Sequence, residues 1–276
     1  MNDVFEDLLG LLATRDPLDD PRADGRGVRV CLVDSGIDRE KLAHRLRSPV
    51  EGAVFREDRP EPMPDPGSPS SQHGTTVADI LLGIAPAVTL YSADVFGPAG
   101  SCDSRVVIRA IRHAMDAWNC KVVNLSLGIP EPRLAVMPKR LELQRVIEEA
   151  YYRDVVVIAA ASNDHPHSRS YPAAFAPPLL SVDKGAFALP TGFAYRLLEQ
   201  VEWQAHGQGT LGPFAAQPAT SWAAPHLAGI VARLLSLRPG MKPFEVKAIL
   251  YWLAQARQMR GRSMSSPPGV AGSRSE

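Results

Sequence analysis

The sequence lacks an excess of charge of either sign. It carries 30 Lys and Arg residues against 30 Asp and Glu residues, so electrostatics gives no reason to expect nucleic acid or an anionic membrane as a partner. It also has only three cysteines, whose odd number and irregular spacing argue against a disulfide framework or a zinc site. No apolar run is long enough to span a membrane, and there is no internal repeat.

A secretory leader is also missing from residues 1–20. This stretch has no basic segment, and its apolar residues alternate with Asp and Glu at helical spacing, which predicts an amphipathic helix over 3–14. We therefore expect a cytoplasmic protein. The expected organisation is an N-terminal helix and linker over 1–27, one large folded domain over 28–257 and a disordered tail, rich in Ser, Gly, Pro and Arg, over 258–276.

The chain does contain a regular alternation of strand-like and helix-like segments. Apolar runs bounded by turn residues predict strands over 28–33, 88–95, 121–127 and 155–161, with short strands around 179–205. Apolar residues at helical spacing predict helices over 73–83, 105–118, 138–152, 221–237 and from Pro243 to about Ala256. The proline-rich segment 56–72 is expected to be a surface loop. The alternation predicts an α/β fold with a doubly wound, mostly parallel sheet and helices on both faces.

Polar residues stand where the strands of this sheet end or where helices begin. Asp34 ends the first strand, His73 opens a helix, Ser162 and Asn163 follow the strand "VVVIAAA", and Ser221 opens another helix. The carboxyl ends of parallel strands are where sites form in such sheets. An acid, an imidazole, an amide and a hydroxyl are the groups of an acyl-transfer site.

Ser221 also has a purely structural interpretation as a helix N-cap. Serine caps helices well because its side-chain oxygen accepts a free N–H group. With Ser221 as the cap, Pro225 falls on the fourth helical position and forfeits no hydrogen bond, whereas an earlier helix start would cost one bond and bend the helix.

Five segments resemble motifs of the subtilisin-like serine proteases (subtilases), and the resemblance covers roughly residues 27–238. The segments resemble, in chain order, the family's aspartate motif ("VCLVDSGID", 30–38), its histidine motif ("HGTTVADIL", 73–81), the strand lining the substrate cleft ("VVNLSLG", 122–128), the segment with the oxyanion asparagine ("VVVIAAASND", 155–164) and the nucleophile motif ("ATSWAAPHLAG", 219–229). The order Asp, His, Asn, Ser separates this family from other serine-protease folds.

The resemblance implies a serine endopeptidase that works through an acyl-enzyme on a peptide or protein substrate. Ser221 would be the nucleophile, His73 its general base, and Asp34 the carboxylate that orients the imidazole. Asn163 and the main-chain N–H of Ser221 would bind the oxyanion. No cofactor is expected, and the sequence does not indicate an oligomeric state.

The same resemblance implies a set of substrate-binding residues. They are Ser126, Leu127 and Gly128, an edge that would pair with the substrate main chain, and Ala160, Ala161, Ser162 and Asp164 around the primary specificity pocket. Asp164 would lie at the rim of that pocket and Ser170 near its floor. We therefore expect a modest preference for Lys, Arg or a large apolar residue before the cleaved bond.

The chain departs from the family's pattern at several positions. Ala219 stands where the family has Gly, Trp222 follows the nucleophile in place of Met, Thr76 replaces the second His of the histidine motif, and Ser162 replaces a Gly. Ala219 is tolerable only if its φ is negative. Trp222 would place a large ring beside the leaving group.

Two features common in the family are not evident in this sequence. The segment "HGTTVADILLGIAP" has no interrupting loop with acidic residues, so we expect no metal site and folding without calcium. Residues 1–27 are too few for a long prosegment. Together these observations favour intracellular processing of a specific peptide or protein. The alternatives are a catalytically weak peptide-binding module and a macrocyclase in which an amine intercepts the acyl-enzyme.

Overall fold

The computed structural model describes residues 14–97, 100–134 and 137–265, and for 261–265 the backbone alone. The amphipathic helix predicted over 3–14 lies outside these residues, except for Thr14, which is helical. In the described part of the chain, no helix combines the length and the apolarity that crossing a membrane requires.

Among the described residues, the centre of the fold is a nine-stranded sheet. Its strands are β1 (Arg29–Asp34), β2 (Glu51–Arg56), β3 (Arg59–Pro64), β4 (Thr89–Asp94), β5 (Val122–Leu125), β7 (Val156–Ala160), β9 (Leu180–Gly185), β10 (Phe193–Leu198) and β11 (Val201–His206). They lie in the order β10-β11-β9-β7-β5-β1-β4-β2-β3. The strands from β11 to β2 pair in parallel, and each edge carries one antiparallel strand. β6 (Ile129–Pro130) and β8 (Ser170–Tyr171) form a separate antiparallel pair.

Helices cover both faces of the sheet, as the alternating pattern predicts. They are α1 (His73–Ile84), α2 (Ser104–Asp116), α3 (Met137–Tyr152), α4 (Thr220–Leu237) and α5 (Pro243–Ser265). Successive residues of β1 point to opposite faces. Val30 and Leu32 belong to the core cluster that also contains residues of α1, α4 and α5, while Cys31 and Val33 belong to the cluster that contains residues of α2 and α3. The predicted doubly wound α/β fold is confirmed.

The proline-rich segment 56–72 is not wholly a loop, because β3 forms within it. β3 lies at the edge of the sheet and pairs only with β2. Its prolines at 60, 62 and 64 alternate along the strand, so one side of the strand lacks donors, which only an edge strand tolerates. The prediction of a surface loop was wrong for these residues.

The last helix continues beyond the predicted end of the domain at 257. α5 runs to Ser265, so at least the first eight residues of the predicted tail over 258–276 are helical. The carboxylate of Asp16 accepts hydrogen bonds from Arg257 at 2.7 Å and from Arg260 at 3.1 Å. This buried ion pair ties the helix to the linker, a contact between chain ends that local composition does not reveal. Residues 266–276 lie outside the described part.

Candidate active site

The predicted site residues gather at the carboxyl edge of the sheet. Asp34 is the last residue of β1, and His73 is the first residue of α1. Ser221 lies in the first turn of α4, and Asn163 follows the end of β7. The parallel register of the central strands therefore brings together residues that are far apart in the sequence.

Asp34 and His73 form a close pair. The Nδ1 atom of His73 lies 2.9 and 3.1 Å from the two carboxylate oxygens of Asp34. Asp34 is buried, and its Oδ1 also accepts the main-chain N–H of Ser35 at 2.8 Å. Because Nδ1–H donates to the carboxylate, Nε2 is the nitrogen that remains to accept a proton.

Gly74 allows this close approach. A Cβ atom at this position would lie 2.3 Å from the carbonyl oxygen of Gly36 and 3.1 Å from Oδ1 of Asp34. A side chain at position 74 would therefore separate the start of α1 from the end of β1. The Gly of the histidine motif is required by this contact between the two elements.

Two opposing effects set the pKa of His73. Burial lowers it, because the charged imidazolium loses water, whereas the charge of Asp34 and its hydrogen bond raise it. The net result is a pKa above the ordinary value of 6.5. The imidazole is thus a base whose pKa is held above its usual value by one carboxylate.

Ser221 is not the helix cap, so that prediction was wrong. α4 begins at Thr220, and its N-cap is Ala219, which has no side-chain cap of its own. Asn163 supplies the missing cap, because its Oδ1 accepts from the N–H of Thr220 at 2.9 Å and from its hydroxyl at 3.1 Å. Ala219 has φ of −144°, an extended conformation open to any residue, so the change from Gly costs no backbone strain.

The earlier helix start places Pro225 inside the helix. Proline has no N–H, so the carbonyl of Ser221 loses its usual partner four residues on. The hydroxyl of Ser126 donates to this carbonyl at 2.8 Å, and Asn124 donates to the same hydroxyl at 3.0 Å. A side chain of the cleft strand thereby holds the turn of α4 that carries Ser221.

The hydroxyl of Ser221 points to the cleft strand in this structure. It donates to the main-chain oxygen of Ser126 at 3.4 Å, and among the described residues no hydrogen bond joins it to His73. His73 nevertheless lies beside the start of α4, since its ring centroid is 4.9 Å from that of Trp222, the next residue after Ser221.

Trp222 packs against the imidazole of His73, and its place relative to the leaving group stays a prediction. Its side chain is buried, and its Nε1 donates to the carbonyl of Gln217 at 3.1 Å. Phe214 packs on the same ring at 5.2 Å and lies 6.1 Å from the ring of His73. The two aromatic rings form a wall behind the imidazole, and nothing in the local sequence singled out Phe214.

Asn163 is positioned from two sides. Thr220 occupies its Oδ1, which leaves its Nδ2–H₂ group to donate elsewhere. Its main-chain oxygen accepts a hydrogen bond from Nζ of Lys184 at 2.6 Å. Neither Thr220 nor Lys184 was predicted from the sequence, because each contact joins residues that are distant along the chain.

The predicted substrate-binding residues line the same region. Ser126 and Leu127 are buried and Gly128 is exposed, while Ala160 and Ala161 are buried at the end of β7. A Cβ atom on Gly128 would lie 3.0 Å from the side chain of Ser170, so these two residues face each other. The structure therefore brings the predicted edge and the predicted pocket floor together.

Asp164 lies on an exposed turn next to Ser162. Its main-chain N–H donates to the hydroxyl of Ser162 at 3.2 Å, and that hydroxyl lies 2.6 Å from the hydroxyl of Ser168. Within the described residues no ion pair involves the carboxylate of Asp164. Its role in substrate preference stays a prediction.

A pocket of about 280 Å³ opens beside His73. It is lined by Ser35, Ser70, Ser71, His73, Phe96, Gly97, Gly100 and Ser126. The hydroxyl of Ser71 donates to that of Ser35 at 2.9 Å, and Ser35 also accepts the N–H of Gly74 at 3.0 Å. Ser35 and Ser71 therefore belong to the network that fixes the start of α1.

The described residues contain no cluster of three or more His, Cys, Asp or Glu side chains arranged to hold a metal ion. α1 runs without interruption from His73 to Ile84, as its sequence predicts. The expectation that the protein folds without calcium stays a prediction.

Sequence comparisons match most of this chain to one family of proteins. A model of the subtilase family matches residues 25–185 and 200–267. Subtilisin NAT from Bacillus subtilis subsp. natto is 31% identical over 233 residues, which cover 78% of this chain and 57% of that protein. Subtilisin from Bacillus pumilus is also 31% identical, over 78% of this chain and 79% of its own length.

Solved structures share the fold. Sphericase superposes with a TM-score of 0.65 at 22% identity, over 82% of this chain and 83% of its own. A lanthipeptide protease superposes with a TM-score of 0.62 at 22% identity, over 83% of this chain and 80% of its own.

Proposed function

The chain belongs to the subtilase family, and we propose that it is a serine endopeptidase that cleaves peptide bonds through an acyl-enzyme on Ser221. The observation that carries the proposal is the Asp34–His73 pair beside the helix start that bears Ser221. A serine hydroxyl needs such an adjacent base to become nucleophilic at neutral pH.

The first half of the reaction forms the acyl-enzyme. Ser221 Oγ, after rotating away from the Ser126 carbonyl, attacks the carbonyl carbon of the scissile bond while Nε2 of His73 takes the hydroxyl proton. The carboxylate of Asp34 stabilises the imidazolium. The N–H of Ser221 and the free Nδ2–H₂ group of Asn163 are the donors proposed for the oxyanion. When the C–N bond breaks, His73 returns the proton to the leaving amine.

The second half regenerates the enzyme. Water attacks the acyl carbon, gives a proton to His73 and displaces Ser221, which recovers its hydrogen from the imidazolium. An amine of the substrate in place of water would give transfer or cyclisation with the same residues. The mass of the products separates the two outcomes, since hydrolysis adds one water and cyclisation adds none.

The finer proposal is that the substrate is a specific peptide or protein that is processed. A lanthipeptide protease shares the fold, and we infer a peptide substrate of defined sequence for this chain as well. The edge at Ser126–Gly128 supports main-chain pairing with such a peptide. The cytoplasmic location expected from residues 1–20 stays a prediction.

The test combines covalent labelling with a cleavage profile. Wild-type protein should react with a fluorophosphonate probe at Ser221 and should cut members of a peptide library. Ser221→Ala is the matched control and should do neither. A wild-type protein that binds peptides but takes no label would instead be a binding module.

A further inference from the structure

Asp94 is a second buried carboxylate at the site, and the proposed reaction does not use it. It ends β4 and lies directly beside Asp34 in the parallel register of β1 and β4. Only 4% of Asp94 is exposed. A buried charge of this kind requires partners, so its contacts show what it holds in place.

Arg56 neutralises this carboxylate in a two-point contact. Nη1 and Nη2 of Arg56 lie 3.2 Å from Oδ1 and Oδ2 of Asp94. Nη1 also donates to the main-chain oxygens of Phe55 at 2.8 Å and of Asp94 at 3.0 Å. The guanidinium therefore joins the end of β2 to the end of β4.

The other contacts of Asp94 reach two walls of the 280 Å³ pocket beside His73. Oδ1 accepts the main-chain N–H of Phe96 at 3.1 Å and lies 3.5 Å from the hydroxyl of Ser70. Phe96 belongs to the segment after β4, whereas Ser70 belongs to the segment that leads into His73. One carboxylate thus links both segments.

We propose that Asp94 and Arg56 are positioning residues that hold Phe96 and Ser70 as two walls of a pocket for a substrate side chain. The proposal rests on the proposed function. The pocket is lined by His73 and by Ser126 of the substrate-pairing edge, so the side chain belongs to the acyl part of the substrate. The ring of Phe96 offers the apolar wall, and an apolar side chain is the class that fits it.

The main variant is Asp94→Asn, which keeps the shape of the side chain but removes its charge. Its matched control is Glu202→Gln, because Glu202 pairs with Lys247 at 2.8 Å and both pairs are similarly buried. The kinetics use two peptides chosen from the library. They are identical except at one position on the acyl side of the cleaved bond, where one has an apolar residue and the other has Gly. This position is the one at which the wild-type enzyme shows its strongest preference for an apolar residue. A small fluorophosphonate probe measures the reactivity of Ser221 without filling the pocket.

We expect Asp94→Asn to raise KM for the apolar peptide about 10-fold with kcat nearly unchanged, the pattern of lost uniform binding. The preference for the apolar peptide should shrink, and the labelling rate should stay at the wild-type value. Glu202→Gln should lower Tm without this change in KM. Arg56→Lys keeps the positive charge but loses the two-point contact, so its KM should rise less than that of Asp94→Asn. If Asp94→Asn does not fold, Arg56→Lys is the variant that tests the proposal.

Three results would overturn the inference: an unchanged KM in both pocket variants, a parallel loss of kcat and labelling, or the same rise in KM in Glu202→Gln. Failure of the proposed function has a different signature, since wild-type protein would then neither label at Ser221 nor cleave any peptide.

Discussion

Two histidines, the partly exposed His73 and the buried His226, lie against different parts of Trp222 and face different partners. His73 packs its ring on the indole at 4.9 Å, whereas Nδ1 of His226 donates to the main-chain oxygen of Trp222 at 2.7 Å. A carboxylate faces His73, but the ring of another histidine, His206, lies 4.9 Å from His226.

Their pKa values move in opposite directions as a result. Burial lowers the pKa of His226 to about 4; its hydrogen bond to Trp222 opposes this, and His206 adds to it. Burial also lowers the pKa of His73, but Asp34 raises it by more. Burial alone gives a neutral imidazole suited to packing, and a neighbouring carboxylate converts the same group into a base near neutral pH.

The strongest test of this contrast replaces each histidine in turn. His73→Ala should lower kcat by a factor on the order of 10⁶, the magnitude known for subtilisin, a relative of this chain. His226→Asn keeps a donor for the Trp222 carbonyl and should leave kcat/KM within several-fold while lowering Tm. Peptide cleavage and thermal unfolding measure the two effects. A similar loss of activity in both variants would contradict the division of roles.

Replacing the carboxylate should make His73 resemble His226. Asp34→Asn should lower kcat by about 10⁴, again the magnitude measured in serine proteases. In the wild type, activity should fall as pH drops through a pKa above 6.5, because His73 must be neutral to accept the proton. In Asp34→Asn this acid limb should move to lower pH.

The pH profile of kcat/KM checks this prediction. Asp164→Asn is the control, since the exposed carboxylate of Asp164 forms no ion pair with His73, whose carboxylate partner is Asp34. An acid limb that stays in place in Asp34→Asn would mean that another group sets the pKa of the base.

His226 should make the folded state sensitive to acid. Its pKa is about 4 in the folded protein, below the ordinary 6.5, so between these values the unfolded chain binds a proton that the folded protein does not. Stability should therefore fall from pH 6.5 to pH 4, by roughly 3 kcal/mol for this group. For His73 the sign is opposite, and its contribution is lost as pH rises through its raised pKa.

Denaturant unfolding at several pH values in His226→Asn tests this sign. The variant should show a flatter dependence between pH 4 and 6.5 than the wild type. An identical slope in the two proteins would exclude His226 as the source of the acid sensitivity.

The features that could be predicted from the sequence are those that depend on short stretches of the chain. Asp34, His73, Asn163 and Ser221 stand in short motifs at predicted strand ends or helix starts, so the sequence identified the elements that bring them to one edge of the sheet. The fold class followed from the same alternation of apolar periods.

The features that the sequence missed are contacts between different elements and loops. Asn163 caps the helix at Thr220, which is 57 residues away, and this is why the assignment of Ser221 as the cap was wrong. The pairing of Arg56 with Asp94 and the packing of Phe214 on Trp222 depend on how strands and loops meet in space. No local pattern encodes such pairs.

The smallest expected effect concerns the residue between the two histidines. Trp222→Met restores the residue usual in the family and removes the ring that packs on His73, but leaves the main-chain oxygen that binds His226. Water would then reach His73 more freely, so burial would lower its pKa by less. The pKa of His73 should therefore rise, and the acid limb of the pH profile should move slightly to higher pH. We expect a several-fold change in kcat/KM. The free energy of unfolding should fall by about 1–3 kcal/mol, because a large buried side chain becomes smaller.

Phe214→Leu is the matched control. It removes the other aromatic ring beside the imidazole, whose centroid lies 6.1 Å from that of His73, and should shift the acid limb less. A downward shift in Trp222→Met would show that the indole stabilises the imidazolium, as a cation–π contact does, and that burial by the indole is not what lowers the pKa of His73.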